Sequence, residues 1–512
     1  MPVRKKGIVT MMKKLLTALL ALLLTLTLLC SCDGGAGNNS NASASGVSST
    51  SGDASDTTSA NDGLYHSNLP DSLDYNGETF TILSSYTHGT SDDMNTFFGG
   101  NGEYESNVVN DAAIRRNDIV EDELGVKIVE MVHSDTNAGG TGSLQEYVRR
   151  TVDSATVEYQ MIQCSLYNCG VLTKAGMFED MAGMKYIDFS SAWWNETFIE
   201  DTSFGSSVFY AVGDISFGHM NCIYFVLFNK DLQEQYSLDD FYQLVKDGNW
   251  TYDVMFQNSK SVCTDLDNDG YYTVGDAVGA CGQSSVMWAS YYASGGRITT
   301  NNETTGKPEL TFGTEQSVTI LTGLTEFFME KKNYLILGDA ESTTQLSTDK
   351  SLFFCYHTGG IKNLSEVESN IGFLPHPKDN EDQKDYYSLI SPWGGQAVAV
   401  PFGFDDDTLS YISAVMEEMA VQGKNYLTDA FCETMCKYQK TRDEESIEML
   451  DIIFNTSGCD LGLIYRFGGY SSTLQLFAEN KNTAIASTIE SAKSAAEIGI
   501  EEYIETIEAL ER

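Results

Sequence analysis

The stretch "DLDNDGYYTVGD" at residues 265–276 puts carboxylates at positions 1, 3, 5 and 12 of a twelve-residue loop, with Gly270 at position 6. That spacing is the one with which an EF-hand wraps oxygen ligands around calcium. In that scheme Asp265, Asp267 and Asp269 donate side-chain oxygens, Tyr271 a backbone carbonyl, Thr273 a direct or water-mediated contact, and Asp276 the twelfth-position carboxylate. Asp276 stands where a bidentate Glu is usual, and its shorter side chain supplies one oxygen fewer unless the loop tightens. Sensors pair such loops, so a single one points to a structural Ca2+ site that braces a scaffold. The competing reading is a solvated acidic turn whose Asp side chains bond nearby backbone amides.

Other chemistry is sparser. The chain has no HExxH, GxSxG or P-loop pattern and no arranged Cys/His set, which argues against an enzyme. Its 73 acidic residues leave a glycoside hydrolase carboxylate pair open. Eleven cysteines fall to nine once Cys30 and Cys32 are set aside as below, an odd number that cannot all pair. Cys263 and Cys281 bracket the acidic loop and are either bridged or separate thiols. Cys432 and Cys436 lie one helical turn apart without a nearby His, a weak zinc pattern.

The start of the chain sets the compartment. After "MMKK" an apolar run from Leu15 to Leu29 has the length of a secretory signal rather than a membrane span. "LLCSC" then resembles a bacterial lipobox, with Cys32 as the residue that takes the lipid. Residues 33–63 contain no aromatic, no Lys or Arg, and one branched aliphatic, Val47, and so read as a flexible tether. The expected division is a lipoprotein signal peptide over 1–31 and the lipidated Cys with its polar tether over 32–74. A net charge of −42 argues against nucleic acid and anionic lipid surfaces as partners.

The elements that must position any site follow from periodicity. "ETFTILSSY" (78–86) alternates like a strand, 107–125 has helical spacing ending in Gly125, and "VKIVEMV" (126–132) is a second strand. A helix through 143–155, a strand at 159–165 and a helix through 170–181 continue the pattern, which predicts a parallel sheet flanked by helices. Further apolar strands are expected at 221–232, 351–357 and 394–401. Apolar residues from Ile485 to Ile507 at spacings of three and four predict one long terminal helix. Ligands of such sheets sit at the carboxyl ends of the strands, here near Tyr86 and Tyr167. Tyr356 and His357 end another apolar strand. Trp193 and Trp194 are adjacent and cannot share one face of a helix or strand, so at least one serves packing.

In order along the chain, the lipobox, "AWW" (192–194), "VLFNKDL" (226–232), "DGNWTYD" (247–253), "YYASGGRI" (291–298) and "IGFLPHPKDNEDQKDYYSLISPWGGQAVAVP" (371–401) resemble the extracellular solute-binding proteins of bacterial ABC importers, carbohydrate type. The resemblance implies an α/β, two-lobed periplasmic-binding-protein-like fold with crossover strands near 210–220 and 388–396. Lobe one would take 75–213 plus 392–455, and lobe two 214–391 plus 456–512. It also puts Trp288 and Trp393 on the walls of a cleft between the lobes. A sugar ring presents an apolar face and a rim of hydroxyls, so such a cleft needs flat aromatics beside polar partners. The expected function is a membrane-anchored, monomeric, non-enzymatic binder that captures a carbohydrate and delivers it to ABC permease subunits. A surface polysaccharide-binding lipoprotein and a lipoprotein glycoside hydrolase are the alternatives.

Overall fold

The computed structural model describes residues 63–85, 98, 108–135, 137–330, 332–364, 367–436, 444–480 and 484–510. The expected signal peptide, the expected lipidation site Cys32 and Tyr86 lie outside the described residues. Thirteen strands are described: β1 Glu78–Ser85, β2 Val126–His133, β3 Met161–Ser165, β4 Tyr224–Asn229, β5 Val278–Gly282, β6 Thr299–Asn301, β7 Pro308–Leu310, β8 Tyr334–Ile336, β9 Ser351–His357, β10 Ile371–Leu374, β11 Ser388–Leu389, β12 Gln396–Ala399 and β13 Ser457–Gly458.

Two sheets organise them. The first has the order β12-β3-β1-β2, with β1 parallel to β2 and β3 and only β12 antiparallel. Its β-α-β start is the one the apolar spacing predicts. Helix Val108–Leu124 buries Val109, Ala113, Val120 and Leu124 on one face, ends at Gly125 with φ +60°, and returns the chain into β2. The second sheet has the order β10-β4-β9-β5-β8, where β5 runs parallel to β8 and β9 and β4 antiparallel to β9 and β10. Buried apolar side chains fill the interior of both, which gives two α/β lobes.

The chain passes between the sheets in paired segments. Ala211 and Val398 exchange backbone hydrogen bonds at 2.9 Å, Ile223 bridges Ile390, and Ser391 N–H donates to Cys222 O at 2.8 Å. These antiparallel contacts join residues 211–223 to residues 390–398. β11 and β13 add a parallel pair beside them. Helix Asp406–Cys436 packs along Val108–Leu124.

Helix Glu444–Asn455, assigned to lobe one from the sequence, instead packs on β10 of the second sheet, and its Ser446 hydroxyl lies 2.8 Å from the Tyr242 hydroxyl. Its buried Met449, Leu450 and Ile453 follow that surface, a choice local periodicity does not encode. The terminal helix Ile485–Leu510 forms as expected, burying Ile489, Ala496, Ile500 and Ile507. Among the described residues no helix is long and apolar enough to cross a membrane.

Two local expectations resolve in packing. Trp193 and Trp194 are both buried, and their indole N–H groups donate to the two oxygens of Glu417, each at 2.9 Å. They reach one carboxylate because the backbone turns there, in neither a helix nor a regular strand. Cys263 and Cys281 are separate thiols. The first lies 2.8 Å from Lys332 O, and the second is buried 3.8 Å from Ser342 O.

Candidate ligand-binding cleft

β3 ends at Ser165, whose hydroxyl accepts the Asn168 N–H and caps helix Leu166–Lys174. The first N–H groups of that helix have no partner within it and are donated to the return crossover. Leu166 donates to Gly395 O at 3.1 Å and Tyr167 to Pro392 O at 3.2 Å. Trp393 is thereby pinned between two anchored residues. Its ring is 44% exposed and stands edge-to-face with Tyr167 at 6.4 Å. Gly139 lies against the same ring, where a Cβ would come within 3.2 Å of Trp393 Cζ3. Tyr167 is buried, and the Arg466 guanidinium lies 3.7 Å over its ring. Burial pushes the Tyr167 hydroxyl up, and Arg466 acts in the opposite direction.

The second sheet supplies the other wall. Tyr224, at the start of β4, pairs with His357 at the end of β9, and their rings meet edge-to-face at 6.3 Å. The Tyr224 hydroxyl is pushed up by burial and then by Cys222. His357 is half-buried, and its Nδ1 has no hydrogen-bond partner among the described residues. Burial lowers its pKa while Asp339 opposes the shift, so the ring is neutral at pH 7. Asp339 follows β8 and accepts from Gln283 Nε2 at 2.7 Å, and Gln283 follows β5. Three parallel strands thus deliver Gln283, Asp339 and His357 at their carboxyl ends, the place where α/β sheets bind ligands.

The expected residues divide. Trp393, Tyr167 and His357 gather at the crossover. Tyr356 is 1% exposed, stacked on Phe354 at 4.3 Å, with its hydroxyl accepting from Asn363 Nδ2. It belongs to the packed interior because β9 is covered on both faces. Trp288 is half-buried, and its indole N–H donates to Ser471 O at 2.7 Å, which fastens it to helix Tyr470–Asn480. Sequence reasoning missed Gln283, Asp339, Tyr224 and Arg466. The strand-end rule that selected Tyr167 finds the first two once β5 and β8 are located, whereas Arg466 carries no local signal.

The acidic loop stands apart. Asp265 accepts from Asn268 and Gly270 N–H, Asp267 from Asp269 N–H, and Asp269 from Tyr271 N–H, at 2.7–3.0 Å. Each of these three carboxylates brings an oxygen within 4.8 Å of the others, a set that suits a hard divalent cation. Asp269 N–H pulls the Asp267 carboxyl down, yet desolvation and the carboxylates of Asp269, Asp276 and Asp265 leave it raised. Asp276 is turned inward, its two oxygens accepting Leu266 and Thr273 N–H at 2.9 Å, so it ties the ends of the loop together rather than joining the cluster. Thr273 Oγ1 also donates to Asp276, and the Tyr271 ring is exposed.

No protein-family model and no curated protein sequence matches the chain. Solved structures do. A cyclo/maltodextrin-binding protein complexed with maltotetraose superposes with TM-score 0.54 at 11% identity, covering 83% of this chain and 98% of its own. A cyclic alpha-maltosyl-1,6-maltose binding protein from Arthrobacter globiformis gives 0.55 at 11%, covering 83% and 99%. A maltose-binding periplasmic protein from Listeria monocytogenes in complex with maltose gives 0.51 at 13%, covering 83% and 98%. The chain shares their two-lobed α/β fold.

Proposed function

We propose that the chain is the substrate-binding component of an ABC importer, capturing an oligosaccharide between its lobes without chemically altering it. The observation that carries this reading is Trp393: a large ring, 44% exposed, held edge-on by Tyr167 where the two crossovers pair. The fold is that of proteins whose names describe maltodextrin and maltose binding, which supports the ligand class. Trp393 covers the apolar face of a sugar. Tyr167, His357, Asp339 and Gln283 supply donors and acceptors to its hydroxyls. The anchor is a lipid on Cys32, the partner a permease, and the protein acts as a monomer on the outer face of the membrane. Calcium at Asp265, Asp267 and Asp269 braces the second lobe.

Thermal melting of the purified protein against mono- and oligosaccharides, in EDTA and in calcium, tests this. A ligand at 100 times its Kd adds about 2.7 kcal/mol to the folded state, a shift of a few degrees for a chain of this size. One saccharide class raising the melt, and calcium raising it without sugar, is the expected pattern. Slow consumption of the sugar points instead to a hydrolase.

A further inference from the structure

Arg466 is placed unlike a surface cation of an acidic protein. The chain carries 73 acidic against 31 basic side chains, and ion pairs among the described residues engage Lys246, Arg297, Lys307, Lys332 and Lys424. Arg466 is exposed and has no carboxylate partner among the described residues. It has instead Tyr167, whose ring lies 3.7 Å from its guanidinium carbon and whose hydroxyl takes up part of its hydrogen-bonding capacity, and beyond Tyr167 the exposed ring of Trp393. A guanidinium stacked on a ring keeps its N–H donors around its edge. That planar fork meets a carboxylate or sulfate through two parallel hydrogen bonds.

The backbone holds this side chain in place at a cost. Arg466 has φ 54° and ψ 39°, the left-handed region, which a residue with a β-carbon rarely adopts. Gly468 and Gly469, close by, adopt positive φ freely. The cause is local. Tyr465 and Phe467 stack at 5.7 Å and both pack on Tyr503 of the terminal helix, at 4.5 and 6.0 Å, which turns the residue between them outward.

We propose that the ligand is an acidic saccharide, whose carboxylate or sulfate is received by Arg466 while the sugar ring that bears it lies on Trp393. The inference rests on the saccharide-binding reading and narrows it. The opposite wall suits the uncharged remainder, with Asp339 accepting from hydroxyls and neutral His357 offering a ring nitrogen. The net charge of −42 opposes an anion at long range. Charges farther away than the Debye length, about 8 Å at physiological salt, are largely screened, so the nearby guanidinium decides.

The test is calorimetric titration at physiological salt with matched pairs: oligogalacturonate against its neutral methyl ester, and a sulfated oligosaccharide against its unsulfated parent. The charged member is expected to bind at least tenfold more tightly, with the favoured pair identifying the anion. Arg466→Gln is expected to remove the preference while the protein still melts cooperatively. Arg466→Lys, which keeps the charge but not the fork, should retain part of it and serves if the first variant folds poorly. Neutral members binding as tightly as charged ones, or a preference that survives in Arg466→Gln, overturns the inference while the saccharide reading stands. If no saccharide binds, neutral or acidic, both fall.

Discussion

Trp393 and Trp288 are both tryptophans at expected cleft positions, yet one is 44% exposed and the other is tied through its indole N–H to Ser471 O. Removing them should therefore act on different quantities. Trp393→Ala is expected to weaken saccharide binding by about 2 kcal/mol, roughly 30-fold, with an unchanged melting temperature. Trp288→Ala is expected to lower stability by about 2–3 kcal/mol. Titration and melting of both variants check this, and equal affinity losses would return Trp288 to the cleft wall. Glu417 makes a second residue-scale case. Burial raises its pKa to about 7, against the pull of the two indole donors and the Asp188 N–H. A carboxyl raised in the folded state stabilises fully below its unfolded value near 4.5, and that contribution is lost as pH rises through 7. Glu417→Gln should flatten the stability profile between pH 4.5 and 7. Glu417→Ala should cost about 1–3 kcal/mol for each indole N–H left unpaired. Denaturant titrations across that range measure both.

At the scale of elements, helix Asp406–Cys436 clamps the first crossover. Gly423 sits so close to it that a Cβ would overlap the Asp214 carbonyl oxygen, a backbone atom unable to move aside. Lys424 pairs with the Asp214 carboxylate at 3.4 Å, and the Thr428 hydroxyl donates to it. Gly423→Ala is expected to destabilise by about 1–3 kcal/mol despite the better helix propensity of alanine, as a circular-dichroism melt would read. An unchanged or higher melting temperature would show that helix and crossover are not in contact. Much of the element level was legible. Helix Val108–Leu124 and the terminal helix follow from apolar spacing because each buries one face of a regular period, and β1 and β2 follow from their apolar runs although the end of β1 is covered on both faces. Helix Leu166–Lys174 starts four residues before its predicted onset at 170, since Ser165 caps it at a point where the apolar pattern does not change.

At the scale of the molecule, two sheets joined by paired crossovers allow the lobes to close on a ligand that touches both. Small-angle scattering is expected to show a smaller radius of gyration on addition of the saccharide that raises the melt, and no such change in Trp393→Ala at the same concentration. A constant radius would mean that capture occurs without closure. The sequence alone determined the α/β class, the expectation of an export signal, the acidic loop and the β-α-β start, because those depend on residue type and short-range spacing, whereas the mixed strand order of the two sheets did not follow from it. Tertiary structure decided which aromatics are wall and which are core. Trp393 meets Tyr167 across more than two hundred positions, Arg466 reaches the same ring from farther still, and two neighbouring tryptophans share one Glu417. Exposure is set by what packs against a side chain, and those partners come from chain segments that no local period brings together.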